Sequence, residues 1–124
     1  MAVLAQSAGH ELVHRRESHH KFVGTIPFFL TCYSHFGPEH VKGHHKTIAT
    51  DVDPVSAPKG CSIYRHIVRA VAGTHVSMWD REVDRIKKVN GNIILHNEMT
   101  LYFCLHVALF MFVHMMFGSA GVQY

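Results

Sequence analysis

A chain of 124 residues with 48% hydrophobic and 17% charged residues has the length of one small domain and is too apolar for a disordered or acidic-tail protein. Its formal net charge of +3, from 12 Lys+Arg against 9 Asp+Glu, is too small to argue for nucleic acid, and the basic residues are not interleaved with aromatics as a single-strand platform requires. Cys32, Cys61 and Cys104 form no Cys-x-x-Cys pair and, being odd in number, no closed disulfide set, which excludes a zinc ribbon and a stapled secreted domain.

The thirteen histidines point instead to metal chemistry. In chain order, the opening Met1 to Gly9 has no basic residue ahead of its apolar ones, so it is no secretory signal. It reads as the end of a helix whose earlier part is missing. His10-Glu11-Leu12-Val13-His14 then places two imidazoles at i and i+4, one above the other on a helix. The string is also the zincin pattern, in which His10 and His14 would hold zinc and Glu11 would act as general base. His20 falls where a metzincin has its third ligand, but Glu17 stands where that pattern needs a glycine to turn the chain.

Phe22 to Phe36 is apolar, too short for a full span and interrupted by Pro27, which predicts a kinked, tilted or re-entrant helix. Glu39-His40-Val41-Lys42-Gly43-His44-His45 repeats the i, i+4 pair at His40 and His44 and adds His45. Five imidazoles exceed what one tetrahedral zinc accepts, whereas two metals with open positions could share them if further ligands came from elsewhere. Glu11 and Glu39 each adjoin a ligand candidate and are expected either to accept hydrogen bonds from ring N–H groups or to be solvated charges.

Lys46 to Asn92 is polar, with Pro54 and Pro58 in a loop and Ser62 placed to cap a helix. Ile63, Ile67, Val71, Met78, Val83 and Ile86 predict one amphipathic helix, or two broken at Gly73. Arg65, Arg69, Arg81, Arg85, Lys87 and Lys88 give it a basic face, which the positive-inside rule assigns to the cytoplasmic side. Met99 to Phe117 contains no Asp, Glu, Lys or Arg; at ~1.5 Å per residue it is about 28 Å long and reads as a transmembrane helix. His106 and His114 share one of its faces and are expected to look inward. His19, His20, His35, His66, His75 and His96 have no paired spacing and are read as exposed or hydrogen-bonded.

These motifs together resemble one family. His10-Glu11-Leu12-Val13-His14-Arg15, then Glu39 to His45, then Ala49-Thr50-Asp51-Val52-Asp53-Pro54, are similar to the membrane alkane 1-monooxygenases of the fatty-acid desaturase and hydroxylase superfamily. The likeness continues through Gly60 to Arg65 and Trp79 to Asn97-Glu98; Pro38 departs from the apolar residue expected before Glu39.

The resemblance implies an all-α integral membrane bundle, with a non-haem centre of two Fe on the cytoplasmic side that uses O2 to hydroxylate the terminal methyl of an alkane drawn from membrane lipid. By motif, His10 and His14 form one ligand pair and His40, His44 and His45 the second set. Electrons would come from a rubredoxin-type donor served by an NAD(P)H-dependent reductase; basic residues such as Arg65, Arg69, Lys87 and Lys88 would steer it or line the membrane surface. The family's third His-rich box and His-Tyr-Gly motif do not occur in the sequence, so the chain is expected to be a fragment with an incomplete, weakly active site. It divides as a single partial domain: 1–45 helices with two His boxes, 46–92 a cytoplasmic segment, 93–117 a transmembrane helix, 118–124 a truncated end. The rival readings are a fatty-acid desaturase or hydroxylase, a zincin-like metalloprotease, and a non-catalytic His-rich metal-binding fragment.

Overall fold

The computed structural model describes residues 2–122, and every regular element among them is helical. The first two, α1 (Ala2–Val13) and α2 (Ser18–Leu30), pack side by side. Glycines set how closely they approach. A Cβ on Gly24 would lie 2.8 Å from the Gly9 carbonyl oxygen and 2.8 Å from Leu12 Cβ, so a larger residue would push the helices apart. Phe28 and Val13, both buried, fill the space beside this crossing.

The apolar stretch Phe22 to Phe36 does not continue as one helix. Pro27 lies within α2, which ends at Leu30; Cys32 adopts φ 56° and Tyr33 N–H donates to the Phe28 carbonyl at 2.7 Å. The chain then enters α3 (Phe36–Glu39), a single π-helical turn (His40–His44) and the short α4 (His45–Thr47). The stretch expected to be a kinked, tilted or re-entrant helix at Pro27 is instead a helix that contains the proline and ends in a turn four to five residues after it.

A loop leads to α5 (Ile63–Lys88), capped where expected by Ser62, whose Oγ accepts from Arg65 N–H at 3.4 Å. This helix is unbroken at Gly73. The glycine is there for contact: a Cβ on it would overlap the Pro54 ring of the loop. The buried face of α5 is Thr74, Met78, Glu82 and Ile86, an i, i+4 series, while Ile63, Ile67 and Val71 are exposed. Apolar periodicity therefore located the helix and, at Met78 and Ile86, its buried side, but not the exposure of its first half or the two polar residues, Thr74 and Glu82, that share that side.

The last helix, α6 (Glu98–Phe117), starts at Asn97, whose buried Oδ1 accepts from Met99 N–H at 2.8 Å. Glu82 joins it to α5: its carboxylate accepts two bonds from Arg85, at 2.9 and 2.7 Å, and one from Glu98 N–H at 3.0 Å. Arg85 also donates to the His96 carbonyl at 2.8 Å. Among the described residues α6 is the one helix long and apolar enough to cross a membrane, and none of its residues is buried. Such an all-round apolar helix is suited to hydrocarbon or to further helices, and it supports a membrane location. His106 faces α2 as expected, at 3.0 Å from the Phe29 carbonyl, but His114 is exposed. The expected end segment begins with a 3-10 turn, Gly118–Val122; Gln123 and Tyr124 lie outside the described residues.

Candidate metal centre

Four imidazoles converge where the end of α1 meets the π-turn. His10 Nε2 lies 2.7 Å from His40 Nε2 and 3.1 Å from His14 Nε2, and His45 Nε2 lies 3.0 Å from His40 Nε2. Nitrogens bound at ~2.1 Å to one ion and about 90° apart would be about 3.0 Å from each other, so these separations fit lone pairs directed at a shared metal. The donors of His10, His14 and His40 all lie within 4.8 Å of one another.

The convergence depends on the π-turn. In an α-helix of 3.6 residues per turn, residues five apart point about 140° away from each other, which would send His45 away from His40. The wider turn over His40–His44, with its i→i+5 bonding, brings both onto one side. Spacing read at the α-helical period paired His40 with His44 and added His45 as a neighbour, without the turn that brings it round to His40.

Local electrostatics keep the rings in the form that binds metal. Partial burial, reinforced by His10, His45, His14 and His44, holds His40 down to about 4. Burial, then His10 and His45, lowers His14 as well. A cluster of imidazoles resists protonation because each added proton meets the others. His40 and His14 are thereby biased toward the neutral form in which a ring nitrogen can donate its lone pair.

His44 takes a different position. Its Nδ1 is 2.7 Å from Oδ2 of Asp53, which is wholly buried. Burial alone would raise the Asp53 carboxyl, but donors from Ser56, Val55 N–H and His44 hold it below the ordinary aspartate range. Glu39, also buried, accepts from Arg81 Nη2 at 2.8 Å and from Ser77 Oγ at 3.1 Å; Arg81 further contacts Ser77 and donates to the Lys42 carbonyl at 2.9 Å. The structure thus gives Glu39 an α5 arginine and serine as partners. Glu11 is exposed, with no hydrogen bond to a ring among the described contacts. Gly43 is needed because a Cβ there would overlap both the Arg81 guanidinium and the Glu39 carboxylate.

His20 stays outside the group: its Nδ1 pairs with Glu17 Oε2 at 3.2 Å, so the third ring of a zincin-like set is replaced by His40. Of the remaining histidines, His35 is buried near Thr74 and its ring lies 3.9 Å from that of His75, tilted by 55°. His75 donates to the Val71 carbonyl at 2.7 Å. Sequence reasoning gave no site role to Asp53 or Ser77 and placed Arg81 only on a basic face. Asp53 carried a signal in the Ala-Thr-x-x-Asp-Pro motif; Arg81, 42 positions from Glu39, carried none. Three of the six basic residues on the expected face, Arg69, Arg81 and Arg85, are engaged in internal hydrogen bonds, which leaves less free charge for steering a donor.

No protein-family model matches the chain. It is similar to the alkane 1-monooxygenase of Ectopseudomonas oleovorans, with 32% identity over 116 residues, 93% of this chain and 29% of that protein. Alkane 1-monooxygenase 1 of Alcanivorax borkumensis is 33% identical over 116 residues, with the same coverage of both chains. Alkane 1-monooxygenase 1 of Pseudomonas aeruginosa is 29% identical over 125 residues, covering all of this chain and 33% of the relative. The chain therefore spans about a third or less of the length of these curated relatives.

Proposed function

Because this chain is related in sequence to the alkane 1-monooxygenases along nearly all of its length, we propose that it supplies part of a His-ligated iron centre that hydroxylates alkanes with O2. His10, His14, His40 and His45 hold iron through Nε2, and His44 serves the same centre. The observation that carries this reading is the meeting of four Nε2 atoms from two stretches of chain, at separations expected of ligands. Five candidate imidazoles are more than one metal with open positions requires, which favours two irons. A redox metal able to react with O2 supplies what an unactivated C–H bond demands and zinc cannot give.

The protein's own groups prepare that chemistry. His40 and His14, held toward the neutral form, present lone pairs without first losing protons. The Glu39–Arg81–Ser77 contact ties the π-turn to α5, so box two keeps its position while the rings of α1 approach it. A cavity of about 260 Å3 between residues adjoining the rings and the start of α6 has apolar walls at Val13, Val41 and Tyr102 and charged ones at Lys21, Lys42 and Glu98. The chain occupies a membrane with the rings at its cytoplasmic edge, and receives electrons from a rubredoxin-type donor fed by an NAD(P)H-dependent reductase.

The test is iron content in the full-length protein. His40→Ala removes the ring shared by the two shortest contacts, and should lower bound iron at least tenfold together with alkane hydroxylation. Retention of parental iron in that variant, or about one zinc and no iron in the parent, would overturn the reading.

A further inference from the structure

His44 is the one candidate ring in box two whose nitrogen makes no short contact with the other four, and it alone faces a buried carboxylate. We infer, building on the metal-centre reading above, that Asp53 is a positioning residue which commits His44 to bind iron through Nε2. An ionised carboxylate only accepts, so the 2.7 Å contact places the ring proton on Nδ1. The lone pair is then on Nε2, the nitrogen that His10, His14, His40 and His45 also present. A neutral imidazole without such a partner can carry its proton on either nitrogen.

The carboxylate is itself fixed. Ser56 Oγ donates to Oδ2 at 2.6 Å and Val55 N–H to Oδ1 at 3.1 Å. From α5, Arg69 Nη2 donates to the carbonyls of Asp51 and Asp53, at 3.1 and 3.2 Å, and so anchors the backbone that carries Asp53. This chain of contacts runs from α5 through the loop to the ring. Loop closure alone does not explain a charge at this position, because burying a carboxylate costs more than burying a neutral amide. What the charge adds is a stronger acceptor for His44 Nδ1–H, which raises the basicity of Nε2 toward a metal.

The experiment is a double-mutant cycle in the full-length protein, purified in detergent and read by competition of a chelator for iron, with the visible spectrum of the cobalt-loaded form reporting ligand number. Asp53→Asn should weaken iron binding about 10–100-fold, while the helix content and unfolding midpoint of the metal-free protein stay near parental. In a His44→Gln background the same change should have less than about a twofold further effect, since residues acting as a unit are not additive. Ser56→Ala, a milder disturbance of the carboxylate, should weaken binding in the same direction and should likewise lose its effect when His44 is absent. Equal losses with and without His44, or unchanged affinity in Asp53→Asn, would overturn the inference. A parent that holds no iron would instead overturn the metal-centre reading on which it rests.

Discussion

Gly43 shows how a single residue couples the chemistry to the scaffold. It sits in the π-turn between two ring-bearing positions, and the space a Cβ would fill is taken by the Arg81 guanidinium and the Glu39 carboxylate. Gly43→Ala should cost about 1–3 kcal/mol of stability through overpacking and should also lower iron retention, since relief of the clash moves the turn that aligns His40 with His45. Thermal unfolding and metal analysis of the variant measure the two effects. A stabilised protein, as expected of an ordinary helical Gly→Ala change, would show that the turn is not constrained in this way.

Among the elements, the junction of α5 and α6 rests on Glu82. Hydrogen bonds from Arg85 come first in holding its carboxyl below the ordinary glutamate range, burial opposes them, and Glu98 N–H adds to them. Glutamate in the unfolded chain titrates near ~4.3. The contribution of Glu82 is therefore full above that value and is lost as pH falls through the lower folded one, because the unfolded state takes up the proton first. Stability measured between about pH 6 and pH 3 should fall on acidification, and Glu82→Gln should flatten that fall; an unchanged slope would remove Glu82 from the account. The same junction explains why apolar spacing found Met78 and Ile86 on the inner face of α5 but not the polar residues that share it. Thr74 and Glu82 are buried because partners satisfy them: Arg85 of the same helix binds Glu82, and other segments complete both, with Glu98 N–H on Glu82 and Tyr33 OH 2.8 Å from Thr74 Oγ1. No local rule registers the partners on other segments.

For the whole molecule, α6 is apolar all round while α5 and the loop before it are polar, a division whose sense across a bilayer can be tested. If basic segments stay inside, the loop before α5 faces the cytoplasm together with the rings. Cys61, half-buried at the start of that loop's junction with α5, reports on this. With the other cysteines replaced, Cys61 should react with a membrane-impermeant maleimide in inside-out vesicles and be protected in right-side-out ones; the reverse pattern would place the centre on the opposite face. The large apolar surface of α6, from Leu101 to Phe117, should require lipid or detergent for solubility.

The sequence by itself determined which residues are chemically equipped, that α6 is long and apolar enough to span a bilayer, and that the chain is related to the alkane 1-monooxygenases along nearly all of its length. Those properties reside in residue type and short spacing: His10 and His14 fall on one side of a helix because of its period, and Met99 to Phe117 needs no partner to be apolar. Tertiary structure decided that His45 joins His40, that Asp53 holds His44, and that Arg81 secures Glu39. The first needs a π-turn, which α-helical spacing does not reveal; the other two need contacts across 9 and 42 positions. Such contacts depend on how closely packed helices and loops approach, and that distance is set at Gly24, Gly43 and Gly73 by side chains that are not there.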